Sequence, residues 1–281
     1  MRDTAYGRVT TAHESPAELR TLFSEVEEYF ASGATVAPGA TVVDVGANIG
    51  AFAVAVGKRC ARDLRLLCFE PVPALFKALA RNLRENDWLA GGAHRAWNVA
   101  LSTPEAAGTP CEFYYFKRFP RDSTMDLAKK RVEFEAFFAA QGQRLGRAVS
   151  WLGPGARLVE GAVASLPRGT VGRFLSDRVT GLQRLQVPRT TLSAALREQG
   201  SPRVDLLKID VEGAELDVLA GIDPPTWASI GQVVIEAGTQ AHARALSAHV
   251  SARGLDRVRS FAPPSTVARG LDNVLLHFSR A

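Results

Sequence analysis

Three apolar, strand-like segments of the chain each end in an acidic residue. These residues are Glu70, Asp210 and Glu236. The carboxyl ends of parallel strands meet at one edge of an open α/β sheet, and ligands bind at that edge. Carboxylates there can take up a proton or hold a cation. We therefore expect a functional site at this edge, with Asp210 and Glu236 as candidate bases or as ligands of a metal ion such as Mg²⁺.

A glycine-containing turn follows the first predicted strand, in the sequence Val42–Gly50 (VVDVGANIG). Glycines let a backbone approach a ligand closely, and a helix N-terminus offers N–H groups. The dinucleotide pattern G-x-G-x-x-G is broken, because Asn48 and Ala51 stand where glycines are needed. Glu70 lies 24 residues after Gly46, a place from which a carboxylate can hold both hydroxyls of a ribose. The combination favours a cofactor that contains adenosine.

Charged residues alternate with apolar ones in the segment Leu206–Gly213 (LLKIDVEG). Because a strand has a period of two, Lys208, Asp210 and Glu212 are predicted to share one face. Charges in a buried strand are costly unless they pair or meet a ligand. Lys208 is therefore a candidate site residue, with a structural Lys–Asp pair as the alternative. His242 is a candidate base, although a surface helix position is the simpler interpretation.

Strands and helices alternate in the order typical of a parallel sheet with helices on its faces. The predicted strands are Thr41–Val45, Leu64–Phe69, His94–Leu101, Val204–Asp210, Gln232–Glu236, Arg257–Phe261 and Asn273–Phe278. The predicted helices are 15–31, 51–62, Pro73–Trp88, Gly213–Ala220 and Gln240–Arg253. Asn98, near the end of the third strand, is a candidate contact on the adenine side, or else an ordinary polar residue at the sheet edge.

The segment 117–183 interrupts this alternation and is predicted to form a lid, with a helix around Met125–Gln141. Within 117–147 there are eight basic residues against four acidic ones. This positive charge would attract an acidic substrate or an acidic carrier protein. The alternative is that it only keeps the protein surface soluble. On either side of the insertion, 111–116 and 184–190 are predicted to pair as an antiparallel ribbon. We thus expect an N-terminal helical segment at 1–35 and one domain over 36–281.

The composition excludes several protein classes. The 281 residues are 46% hydrophobic and 22% charged, which is not typical of disordered, collagen-like or coiled-coil chains. No apolar run approaches the roughly 20 residues of a membrane span, and the first residues lack the apolar core of a secretory signal. Three cysteines without a CxxC pair argue against a disulfide framework or zinc site and favour the cytoplasm. The net charge of +5 does not demand a nucleic-acid partner.

Several of these segments, in order, resemble the FkbM family of S-adenosylmethionine-dependent methyltransferases. The resemblance covers about 36–280, apart from the insertion. It rests on Val42–Gly50, Phe69–Pro71, Asn98–Ser102, Arg189–Leu192, Leu206–Leu219 and Val233–Glu236.

The resemblance implies a class I methyltransferase fold: a Rossmann-like, mostly parallel α/β sheet with an antiparallel last strand, here with the helical lid insertion. It implies that Asp44, Gly46, Asn48 and Gly50, with Ala47, surround the methionine part of S-adenosylmethionine. Glu70, beside Pro71, would bind the ribose hydroxyls, and Asn98 with Ala100 would border the adenine. Asp210 would stand beside the transferred methyl group.

The insertion and the segment Gly270–Val274 (GLDNV) resemble members of the family linked to polyketide and nonribosomal peptide assembly, which O-methylate hydroxyl groups. These members often carry His and Asp just after the strand-end Glu, where this chain has Gly238 and Thr239. That departure puts a His-based or metal-based deprotonation in doubt, with His242 as a possible substitute. The expected partner is a small-molecule acceptor, free or tethered to a carrier protein, and a homodimer is possible. The alternatives are N-methylation, a dinucleotide-binding oxidoreductase, a non-catalytic scaffold and a nucleic-acid methyltransferase.

Overall fold

The structure is a computed structural model that describes residues 2–4, 6–12, 16–60, 63–86, 94–132, 180–267 and 272–280. Its strands are β1 (Arg2–Thr4), β2 (Gly7–Val9), β3 (Ala40–Val45), β4 (Leu64–Phe69), β5 (Arg95–Trp97), β6 (Ala100–Leu101), β7 (Cys111–Phe116), β8 (Leu182–Val187), β9 (Arg189–Thr190), β10 (Leu206–Ile209), β11 (Gln232–Ala237), β12 (Arg257–Phe261) and β13 (Val274–Ser279). Its labelled helices are α1 (Pro16–Ala31), α2 (Ala51–Arg59), α3 (Pro73–Glu85), α4 (Leu192–Glu198), α5 (Glu215–Ala220), α6 (Pro224–Ser229), α7 (Gln240–Ser251) and α8 (Pro264–Val267).

Seven strands form the central sheet in the order β12-β13-β11-β10-β3-β4-β5. β5, β4, β3, β10 and β11 run parallel to one another, and β13 lies antiparallel between β11 and β12. The order of the parallel strands reverses at β3, so β3 and β10 diverge at the centre of the sheet. This is the switch point at which ligands bind in open α/β sheets. The predicted fold class, mostly parallel with an antiparallel last strand, is confirmed.

Two apolar layers cover the sheet, one on each face. Val42 packs in the layer with α1, α2 and α3, whereas its neighbour Val43 packs in the layer with α4, α5 and α7. Every residue of β3 is buried, as expected for a central parallel strand. Fully burying one such aliphatic side chain stabilises the fold by about 1.5–3 kcal/mol. The two layers thus hold the strand ends, and the acids that follow them, in fixed positions.

Several elements differ from those predicted. The third predicted strand is split: β5 stays in the central sheet, while β6 pairs in parallel with β9, and Asn98 lies in the break. The hairpin of β1 and β2 and the short helix α6 were not predicted. The N-cap of α6 is Asp223, and two prolines follow it as the first residues of the helix. This is a recognisable start signal for a helix, but the prediction relied on the alternation of strands and helices and missed it.

The predicted ribbon beside the insertion is confirmed, since β7 and β8 pair antiparallel from Cys111↔Val187 to Phe116↔Leu182. The predicted lid helix begins as expected, because residues 127–132 are helical. The rest of that helix and most of the predicted lid lie outside the described residues. The division at residue 35 remains a prediction. None of the helices in the described part of the chain is long and apolar enough to cross a membrane.

Candidate active site

A cavity of about 570 Å³ opens at the carboxyl edge of the sheet, at the switch point. This volume is typical of small-molecule sites. The predicted site residues that line it are Gly46, Ala47, Asn48, Glu70, Pro71, Ala100, Lys208, Asp210 and Glu236. Most of the predicted site residues therefore line a single cavity, because they lie at or near the carboxyl ends of neighbouring strands.

The glycine turn between β3 and α2 adopts a left-handed backbone at three positions, with φ of 76° at Gly46, 51° at Asn48 and 85° at Gly50. The N–H groups expected at the start of α2 stay a prediction, whereas those of the turn itself are already bonded within the protein. Gly46 and Ala47 donate to the carbonyl of Phe69 at 3.0 Å, and the Asn48 N–H donates to Glu70 Oε2 at 2.8 Å. The next two N–H groups donate to the Asn48 side chain and to the Ala47 carbonyl. The turn is therefore held partly by its own atoms and partly by the end of β4, and residues of the turn line the cavity.

Glu70 is nearly fully buried at the end of β4. Its two oxygens accept the N–H groups of Asn48 and Val72, both at 2.8 Å. Burial raises its pKa to about 7, although those two hydrogen bonds act in the opposite direction. A carboxylate has about four lone-pair positions, so Glu70 can still accept hydroxyl donors from the cavity. Its predicted contact with a ribose stays a prediction.

Four predicted site residues lie behind the cavity rather than on its surface. The Asn98 amide donates to the carbonyls of Glu70 and Pro71 at 2.8 and 2.9 Å, so it braces the loop that carries Glu70. Gly50 packs against Leu79, and His242 Nε2 lies 3.6 Å from Glu215 Oε2. The fourth residue, Asp44, is completely buried beneath the site.

Asp44 and Lys208 form a buried ion pair between β3 and β10, with Nζ 3.0 Å from Oδ1. Burial alone would lower the pKa of Lys208, but Asp44 and then Asp210 raise it further than burial lowers it. Lys208 Nζ also donates to the carbonyl of Gly46 at 3.0 Å. The ammonium group thus links the glycine turn to β10. Lys208 therefore forms the structural pair with Asp44 and also lines the cavity, so the two interpretations predicted for it do not exclude each other.

We expect Lys208→Met to lower the free energy of unfolding by about 3 kcal/mol, because the Asp44 carboxylate would stay buried without its cation. Arg197→Met is the matched control, since the Arg197–Asp223 pair has side chains 60% and 34% exposed and should contribute less than about 1 kcal/mol. Urea denaturation of both variants measures the difference. Equal losses in the two variants would contradict a special role for the buried pair.

Asp210 follows β10, and its side chain is 29% exposed to the cavity. The hydroxyl of Tyr29, from α1, donates to Asp210 Oδ2 at 2.9 Å, and Lys208 Nζ lies 3.8 Å from the same oxygen. On the far side, the Asn273 amide donates to Glu236 Oε1 at 2.5 Å. Burial, followed by the charges of Asp210 and Glu212, raises the pKa of Glu236 well above its usual value. Glu236 is therefore harder to ionise than a carboxyl group in water.

Tyr29 and Asn273 were not predicted as site residues. A signal for Tyr29 existed: the apolar face of α1 contains a tyrosine, and a buried tyrosine hydroxyl usually needs a partner. For Asn273 the signal was the resemblance of the segment Gly270–Val274 to family members, which did not by itself assign a role to the residue. Glu212, predicted to share a face with Lys208 and Asp210, lies past the end of β10 with φ of 55° and pairs with Lys130 at 2.8 Å.

The FkbM methyltransferase domain model matches residues 44–258, which is more than half of the chain. The chain belongs to the FkbM methyltransferase family. It is 33% identical over 203 residues to methyltransferase sdnD of Sordaria araneosa, covering 69% of this chain and 65% of that protein. It is 31% identical over 230 residues to the 31-O-demethyl-FK506 methyltransferase FkbM of Streptomyces tacrolimicus, covering 81% of this chain and 77% of that protein. The chain thus spans slightly less than two thirds of the first relative.

The crystal structure of a methyltransferase FkbM from Methylobacillus flagellatus shares the fold of this FkbM-family chain. The TM-score is 0.51 at 13% identity, and the match covers 91% of this chain and 47% of that one. Together, the family model and the fold show that the chain contains an FkbM methyltransferase domain.

The cavity of this FkbM-family enzyme suits S-adenosylmethionine, which carries a sulfonium and an ammonium group. Acidic side chains outnumber basic ones on its wall. The acidic residues are Glu25, Glu70, Asp122, Asp210, Glu212, Glu215, Glu236 and Asp272, and the basic residues are Arg121, Lys129, Lys130 and Lys208. Gly46–Asn48 and Glu70 lie on one side of the cavity and would hold the methionine and ribose parts. Within the described ranges, no three or more His, Cys, Asp or Glu side chains are grouped as a metal site, so nothing supports a Mg²⁺ ion at Asp210 and Glu236.

Proposed function

We propose that this enzyme transfers a methyl group from S-adenosylmethionine to a hydroxyl of a secondary metabolite, such as a polyketide, peptide or sugar-containing compound. One observation carries the proposal: Asp210 faces the cavity with one carboxylate oxygen, Oδ2, held by Tyr29 and Lys208. In the described part of the chain, no side chain is hydrogen-bonded to the other oxygen. Oδ1 is therefore placed to accept the proton of an incoming hydroxyl.

S-adenosylmethionine, when bound, supplies an electrophilic methyl group on a positively charged sulfur. Transfer of the methyl group to the acceptor oxygen would break the carbon–sulfur bond and leave S-adenosylhomocysteine. The hydroxyl proton passes to Asp210 Oδ1. Because no further chemistry is required of the protein, its main tasks are to align the two reactants and to exclude water.

The FK506-related relative supports oxygen as the acceptor atom, since its name describes methylation at a 31-O position. N-methylation is the second candidate. An uncharged amine is already nucleophilic, so an N-methyltransferase would not depend on a base. If the Asp210→Asn variant loses turnover, that dependence on a carboxylate would favour O-methylation over N-methylation.

Lys129, a basic residue of the predicted lid, supports an acidic acceptor or an acidic carrier protein. A β-carbon at Gly213 would lie 3.3 Å from Lys129 Nζ, and one at Gly238 would lie 3.7 Å from it. Lys129 thus stands above the ends of β10 and β11, at the wall of the cavity. Long-range attraction between this region and an acidic partner would speed their encounter at low salt.

Calorimetric titration with S-adenosylmethionine, S-adenosylhomocysteine and NAD tests the cofactor. We expect micromolar binding of the first two and no heat from NAD. The protein is then incubated with S-adenosylmethionine and matched pairs of alcohols and amines on polyketide and peptide scaffolds, and S-adenosylhomocysteine is measured. Turnover with alcohols alone supports the proposal, and turnover with amines alone would replace it by N-methylation. A folded sample that binds neither sulfur compound would refute it.

A further inference from the structure

The N-terminal helix α1 contributes a side chain to the catalytic end of the sheet. Tyr29 lines the cavity, yet it lies outside the residues that match the family model, which begin at Asp44. Its ring packs edge-on against Phe52 of α2, with centroids 5.7 Å apart, and Lys208 Nζ lies 5.6 Å from the Tyr29 ring. The ring is therefore fixed by apolar packing and by a cation, independently of its hydroxyl.

The Tyr29 hydroxyl stands between the two acids of the site. Its oxygen is 2.9 Å from Asp210 Oδ2 and 3.5 Å from Glu236 Oε2. A tyrosine hydroxyl has one proton to donate, and the shorter distance assigns that proton to Asp210. Glu236 Oε2, at the longer distance, is the second carboxylate oxygen that this hydroxyl faces. The hydroxyl thus lies between the carboxyl groups of Asp210 and Glu236.

Polar contacts on three sides hold α1 in place around Tyr29. Glu25 pairs with Arg121, which comes from the segment after β7. Glu27 pairs with Arg59 at the end of α2. Glu28 accepts the backbone N–H of Ser265 at 2.8 Å and its hydroxyl at 2.6 Å. Because these contacts fall within one turn of Tyr29, the position of its hydroxyl is set by the surrounding protein.

We propose that Tyr29 is a positioning residue for methyl transfer: its hydroxyl fixes Asp210 Oδ2 and so directs Oδ1 toward the acceptor. The proposal rests on the proposed function, since it assigns Asp210 the role of base. It also makes α1 part of the catalytic unit, although the family match does not include this helix.

Tyr29→Phe tests the role of the hydroxyl and keeps the ring. We expect kcat to fall about tenfold to thirtyfold, with the KM for S-adenosylmethionine and the affinity for S-adenosylhomocysteine within twofold of wild type. Tyr115→Phe is the matched control, because Tyr115 is an equally buried tyrosine on β7 that does not line the cavity. Its kcat should stay within twofold of wild type. A Tyr29→Phe enzyme with wild-type kcat would overturn the proposal.

A second measurement needs no acceptor. The chain has four tyrosines, so ¹³Cζ-tyrosine labelling gives a simple NMR spectrum in which Tyr29→Phe identifies the Tyr29 signal. We expect Asp210→Asn to move that signal and to leave the Tyr114 and Tyr115 signals in place. An unmoved Tyr29 signal would overturn the proposed contact. Failure to bind S-adenosylmethionine in calorimetry would instead overturn the proposed function, so the two failures are distinguishable.

Discussion

Asp210→Asn should lower the turnover number at least about 100-fold, while the Kd for S-adenosylhomocysteine changes less than about threefold. The substitution keeps the shape of the side chain and removes its capacity to accept a proton. General-base catalysis typically contributes 10²- to 10⁴-fold to a rate. The turn that would hold the methionine part and the Glu70 carboxyl lie on other strands, so cofactor binding should be spared. The measurement pairs steady-state kinetics, with an acceptor from the alcohol screen, with calorimetry.

Asp217→Asn is the control for this result, because Asp217 is an exposed acid on α5 away from the cavity. It should leave both turnover and binding unchanged. Equal losses of turnover and of affinity in Asp210→Asn would show that Asp210 only holds the cofactor. In that case the base must be sought elsewhere on the wall of the cavity.

Gly46→Ala should destabilise the protein by about 4 kcal/mol or more, or prevent it from folding. With φ of 76°, Gly46 has a backbone that costs an L-residue about 1 kcal/mol. A β-carbon there would also lie 1.8 Å from the carbonyl oxygen of Asp210, a backbone atom that cannot move without shifting β10. In a close-packed interior, the surrounding atoms cannot relieve such a clash without a large cost in free energy. Denaturant unfolding measures the loss.

Gly108→Ala separates the clash from the backbone strain. Gly108 has a nearly equal φ of 80°, but a β-carbon there meets nothing within 4 Å. It should therefore lose only the strain of about 1 kcal/mol. Similar losses in both variants would mean that β3 and β10 are not held at the distance described, and that the close approach of the turn to Asp210 is not a constraint on the fold.

The acids of the site were predictable because local patterns place them. An apolar strand followed by a carboxylate marks the open edge of a parallel sheet, and this rule located Glu70, Asp210 and Glu236 without any knowledge of distant contacts. The internal hydrogen bonds of the glycine turn were not predictable in the same way. They depend on where β4 ends relative to β3, which is a matter of register between strands and not of the turn sequence itself.

Tyr29 shows what a local pattern cannot supply. It is 181 positions from Asp210 in the chain, and helical periodicity alone assigns it to the apolar face of α1. Tyr29 lines the cavity only because α1 packs over the end of the sheet, which the sequence of the helix does not reveal. The split of the third predicted strand has a similar origin, because β6 leaves the central sheet to pair with β9, which lies beyond the insertion.

The hydrogen-bonded glycine turn has a consequence for how the cofactor enters. All five N–H groups from Gly46 to Gly50 already have acceptors, so the turn is rigid before any ligand arrives. The conformational entropy of this wall is lost when the chain folds and is not lost again on binding. A site with such a preformed wall can exchange S-adenosylhomocysteine for S-adenosylmethionine without reordering this turn.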